Sequence, residues 1–130
     1  MNINENKRFK SIGYKLSAGR DNISGKLIKI PKINQESIKV IDYIKEDIIL
    51  ITQKISPPMI PLLKPHINII KGILCRESTG MTGHGKMLIE SLYFQSEKIH
   101  FHCDISEKEY NNLNRYKKGI FNWYGIKLIK

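Results

Sequence analysis

The chain has 130 residues, an apolar fraction of 41% and a formal charge of +10, from 22 Lys and Arg against 12 Asp and Glu. That length holds one domain with a real core and leaves no room for a nucleotide-binding domain and an acceptor domain beside it. No apolar run approaches the roughly 18–20 residues that span a membrane, the polar start MNINENKRFK lacks the apolar segment of a secretory signal, and two cysteines, Cys75 and Cys103, make no disulfide framework. A cytoplasmic protein without membrane contact is the expectation.

In chain order, residues 1–16 read as an N-terminal extension, loosely ordered to residue 10 and briefly extended through Phe9, Ile12, Tyr14 and Leu16. A turn-rich loop over 17–24 leads into a strand over 26–30 that Pro31 stops. Ile38, Ile41 and Ile44, three apart, suggest an amphipathic helix or turn over 35–45. DIILITQ, over 47–53, reads as a buried strand. Ser56 caps a short helix with Pro57 in its first turn; Met59, Ile60, Leu62 and Leu63 give it an apolar side, and Pro65 ends it. The next strand covers 68–74. A helix is expected over 84–93 and a strand over 98–103. Ser106 with Glu109 three residues on is a capping box, opening a helix to about Tyr116. Two closing strands, over 120–123 and 126–129, flank Tyr124 and Gly125. The mixture is an α/β one.

The stretch with chemical content is 72–90, GILCRESTGMTGHGKMLIE. An apolar strand ends in a polar loop, and Gly80, Gly83 and Gly85 follow around His84. Met87, Leu88 and Leu92 then fall on one helical face. Glycines allow positive φ and close approach of another molecule to the backbone. A helix starting near His84 aims N–H groups and a positive dipole end outward, which favours a phosphate. A histidine among glycines, taken alone, reads as a turn residue.

TGMTGHGKML resembles the phosphohistidine motif of the mobile, swivelling domain of phosphoenolpyruvate-utilising enzymes, such as pyruvate phosphate dikinase and phosphoenolpyruvate synthase. The family pattern is roughly G-G-[LM]-T-S-H-A-A followed by two apolar residues, and Gly80, Met81, Thr82, His84, Met87 and Leu88 fit it. The strand and short helix before the motif, the glycine turn SAGRDNISGKLIKI and the closing GIFNWYGIKLIK are similar in arrangement to the family. Coverage is 17–130, taken as a single swivelling domain, strongest over 48–88. The resemblance implies a β/β/α fold, with small sheets or a barrel-like sandwich flanked by short helices.

It also implies roles. His84 would be the phosphorylated nucleophile, since neutral imidazole attacks phosphate near pH 7, and Thr82 would offer its hydroxyl to the histidine or the phosphoryl group. Gly80 and Gly83 would keep the approach clear; Gly85, outside the pattern, is a further candidate for the phosphate site. Lys86, which is not in the family pattern, would oppose the helix dipole by about 0.3–1 kcal/mol and recover it by pairing with a phosphoryl oxygen; a solvated lysine is the plain alternative. Arg76 would meet phosphate, or stand as a surface arginine. The domain itself would bind no cofactor. ATP and Mg would belong to an ATP-grasp partner, with an acceptor-site protein or domain on the other side, and the chain would be one component of a dikinase-type phosphotransferase rather than a complete enzyme.

Thr79, Gly85, Lys86 and Glu90 depart from the pattern. They motivate a second reading, a docking or regulatory module that kept the fold and lost the traffic. A third, a basic nucleic-acid module, rests on charge alone: the lysines are scattered, with no block longer than Lys117 and Lys118, and an acidic protein or a nucleoside triphosphate accounts for them as well. His100 and His102 share a strand face, but Cys103 points away and a ligand set is lacking, so no metal is expected. His66 reads as a helix-end or surface residue, Cys75 as a buried small apolar residue.

Overall fold

The computed structural model describes residues 4–7, 23–77, 100–102, 105–122 and 125–130. Seven strands in these residues join one mixed sheet: β1 (Asn4–Lys7), β2 (Ile23–Lys29), β3 (Ile48–Thr52), β4 (Ile70–Cys75), β5 (His100–His102), β6 (Lys118–Asn122) and β7 (Gly125–Ile129), in the order β1-β7-β6-β2-β3-β4-β5. Two short α-helices accompany them, α1 (Ile60–Leu63) and α2 (Glu107–Asn112). This is a small mixed α/β fold. Its described strands form one continuous sheet, where separate small sheets or a barrel-like sandwich were anticipated.

Strands β2, β3, β4 and β5 run parallel, and β1, β7, β6 and β2 pair antiparallel. The sequence explains the split. β3 is IILIT, and all five residues are buried, the mark of a central parallel strand covered on both faces. On one face Ile48 and Leu50 pack with Ile38 and Ile41 of a 3-10 helix (Ser37–Ile41) and with Leu63 of α1. On the other, Ile49 and Ile51 pack with Tyr110 of α2, Leu113 and Tyr116.

The helix or turn expected over 35–45 is the 3-10 helix, which puts Ile38 and Ile41 inside. Local side chains hold it short: Asn34 Oδ1 accepts from Ser37 N–H at 2.8 Å, and Ser37 Oγ accepts from Asn34 N–H at 2.9 Å. These bonds satisfy donors that a longer helix would use. Around α1, 3-10 turns at Pro57–Met59 and Lys64–His66 extend the segment on both sides, and Met59 N–H donates to the Ser56 carbonyl at 2.9 Å.

Asn4–Lys7, expected within the loosely ordered start, pairs with β7 as an edge strand. NENK has no apolar alternation to announce it. The extended piece and turn-rich loop expected up to residue 22, and the helix expected over 84–93, lie outside the described residues, in 8–22 and 78–99.

Two glycines let strands approach. A Cβ at Gly25 would meet backbone atoms, Ile48 C at 2.9 Å and Asp47 O at 3.1 Å. At Gly119 it would meet side-chain ends, Ile126 Cδ1 at 2.5 Å and Leu27 Cδ2 at 3.2 Å. Backbone cannot turn aside, whereas a side chain can change rotamer. Gly25→Ala is therefore expected to cost about 1–3 kcal/mol, and Gly119→Ala about 0.5–1.5 kcal/mol. Urea unfolding midpoints check the order; equal losses would contradict it.

Candidate functional site

The parallel strands end together, and hydrogen bonds run on past their last residues. Thr52, fully buried, donates its hydroxyl to the Pro31 carbonyl at 3.1 Å. Gln53 N–H donates to the same carbonyl at 3.0 Å, Arg76 N–H to the Thr52 carbonyl at 3.0 Å, and Glu77 N–H to the Gln53 carbonyl at 2.9 Å. The chain is thus anchored to Glu77, where the described stretch stops.

At this carboxyl edge a polar cleft of about 390 Å³ is lined by Gln53, Arg76, Glu77, Glu107, Tyr110 and Asn111. The last three come from α2, at spacings that place them on one helical side. The helix is set by the predicted capping box: Ser106 Oγ accepts from Glu109 N–H at 3.0 Å, and Glu109 Oε1 accepts from Ser106 N–H at 3.3 Å. Among the described residues, one cation, two carboxylates and two amides line the cleft.

Beside it stands a cation without a carboxylate partner among the described residues. Lys29 Nζ lies 3.9 Å from the centroid of the Tyr110 ring and donates to the Tyr110 carbonyl at 3.3 Å. Burial holds the Lys29 ammonium below the usual lysine range, because losing water disfavours the charged form. Burial also raises the Tyr110 phenol, with Cys75 adding to it. The Tyr110 hydroxyl is buried without a hydrogen-bond partner in the described residues.

Of the site residues read from the sequence, the structure places Arg76, half-buried in the cleft wall. His84, Thr82, Gly80, Gly83, Gly85 and Lys86 lie outside the described residues. His66 Nε2 sits 3.5 Å from Asp42 Oδ1, at the end of the Lys64–His66 3-10 turn. Cys75 is buried at the end of β4, as anticipated. His100 and His102 lie in β5, in register with Gly72 and Leu74, and the described residues contain no group of three or more potential metal ligands.

Sequence reasoning missed Gln53, Glu107, Asn111 and the Lys29–Tyr110 contact. The capping box gave the helix, but its docking against the ends of β3 and β4 depends on a tertiary path with no local signature. No helix among the described residues is long and apolar enough to cross a membrane. No family model, no curated protein and no solved structure matches the chain.

Ser106→Ala removes the cap that sets α2 and is expected to cost about 1 kcal/mol, read from the urea midpoint; no loss would show that packing alone fixes the helix. A pH test follows from Lys29. Its folded pKa lies below the unfolded value of 10.5, so between the two the unfolded chain holds the proton more tightly and stability rises with pH. Tyr110, raised above 10.0, works the other way only above that value. As pH rises from neutral toward about 10, wild type should gain stability relative to Lys29→Met. Parallel urea midpoints across that range would refute it.

Proposed function

We propose that the protein is a stand-alone phosphohistidine carrier of the swivelling type, passing a phosphoryl group from an ATP-grasp partner to a small-molecule acceptor of the pyruvate/phosphoenolpyruvate kind. The observation that carries the reading is where the motif enters the fold. TGMTGHGKML starts just after Glu77, at the carboxyl ends of parallel strands, where open α/β sheets gather their ligands. Gly80 lies three residues past that anchor and His84 seven, at most about 11 Å and about 25 Å of extended chain. Those spans would allow both to reach the Arg76 cleft.

In this reading His84 attacks the terminal phosphorus of the donor with one imidazole nitrogen. The P–O bond to the leaving group breaks as the P–N bond forms. The second step reverses the roles, with the acceptor oxygen attacking and the imidazole leaving. Such transfer depends on positioning and charge stabilisation. Arg76 supplies a guanidinium near the start of the motif, suited to phosphoryl oxygens, and Thr82 and Lys86 supply further donors from within it. The residues would meet ATP and Mg only on the partner.

The test needs no partner at first. Treatment with phosphoramidate, followed by peptide mass spectrometry and phosphorus NMR, should put one acid-labile, base-stable phosphoryl group on the peptide bearing His84. Four histidines compete for it, so selectivity for His84 is itself the readout. His84→Ala should abolish the signal, and an ATP-grasp protein with labelled ATP should then reproduce it enzymatically. Equal labelling of His66, His100 and His102, or none at His84, would overturn the proposal.

A further inference from the structure

The two halves of the sheet differ in cover. In the antiparallel half, Ile126, Leu128 and Gly119 are buried on the face toward α2. The opposite face is set out by strand register. One row runs Lys26, Lys118, Ile129, Asn4; the next runs Ser24, Ile120, Lys127, Asn6. Register partners share a face. Ser24, Lys26 and Lys118 are exposed, and Ile120, Lys127 and Ile129 half-exposed, so the described residues leave this surface largely open.

Its charge is one-sided. Lys26 stands directly opposite Lys118, which at about 4.5–5.5 Å between Cβ atoms is an unfavourable like-charge pair. Lys127 is one row away, diagonal to Lys118. None of the three has an ion-pair partner among the described residues, and neither row contains an acid. Lysines about a hundred positions apart in the chain are thereby gathered into one cationic patch with Ile120 and Ile129 between them.

We infer that this face is a docking surface for an acidic protein partner, one carrying carboxylates with aliphatic residues among them. Carboxylates would relieve the Lys26–Lys118 repulsion and steer encounter, while the isoleucines offer apolar area of the kind a protein interface buries. A nucleic acid fits less well, because bases need stacking partners and neither row supplies an aromatic residue. A second copy in face-to-face contact would oppose cation to cation. The inference goes beyond the carrier reading and involves no residue of the motif, so the two stand or fall separately.

The experiment measures fluorescence anisotropy of labelled poly-L-glutamate, and of a single-stranded oligodeoxynucleotide of equal length, at low and moderate salt. Three proteins are compared: wild type, the face variant K26Q/K118Q/K127Q, and a control of equal charge, K32Q/K54Q/K64Q, at exposed lysines elsewhere. The face variant should lose on the order of tenfold in poly-glutamate affinity, with the control within about twofold, and salt should erase the difference. Thermal melts of the face variant should match or exceed wild type, excluding unfolding as the cause. Equal loss in both variants would reduce the effect to net charge and overturn the inference. So would oligonucleotide binding that is tighter than poly-glutamate binding and depends on the same lysines, or no binding of either probe at low salt.

Discussion

Everything in this fold depends on keeping β3 dry on both sides. Five consecutive buried residues, Ile48–Thr52, leave the strand no solvent face. Burying each large aliphatic side chain contributes about 1.5–3 kcal/mol, but only if cover exists above and below. The chain provides it asymmetrically: the 3-10 helix Ser37–Ile41 and α1 on one face, α2 with Leu113 and Tyr116 on the other. With both faces covered, the strand ends are the places left for polar chemistry. Thr52 marks that transition, a buried hydroxyl satisfied by the Pro31 carbonyl at 3.1 Å.

β2 joins two kinds of surface. It pairs parallel with β3 and antiparallel with β6, so its side chains answer to both halves. Ile28 packs into one core and Leu27 into the other, while Lys26 faces water and Lys29 reaches the Tyr110 ring. The parallel half concentrates polar groups at an edge, as a cleft. The antiparallel half, covered on one side only by the described residues, spreads them over a face. Two surfaces of different character thus come from one change of strand direction.

The elements that were legible in the sequence are those whose signals are local and redundant. DIILITQ reads as a buried strand and is one over Ile48–Thr52, Ser106 and Glu109 form the capping box they spell, and the closing segments pair as β6 and β7. β1 was not legible, because its pairing with β7 uses backbone bonds that no side-chain pattern announces. Nor was the strand pairing that unites the sheet, which is decided by non-local contacts. The same holds for charge: Lys26, Lys118 and Lys127 look dispersed along the chain, and only register brings them side by side. Of the candidate site, Arg76 and its cleft are described, whereas the reading of His84 rests on its motif.

The composition of the cleft bears on what a carrier requires. A site that held phosphate as tightly as its geometry allowed would trap the group it must pass on. Uniformly tight binding lowers the ground state along with the transition state and gains nothing in turnover. Arg76 shares its cleft with Glu77 and Glu107, so its attraction for an anion is opposed by two like charges nearby. Two amides, Gln53 and Asn111, offer hydrogen bonds without net charge. In the carrier reading proposed above, such a balance would suit brief, oriented contact, with the P–N bond holding the phosphoryl group between partners. In the same reading, the basic face lies apart from the cleft, on the other side of the sheet from α2, so attraction to a partner there would not tighten the hold on the group being moved.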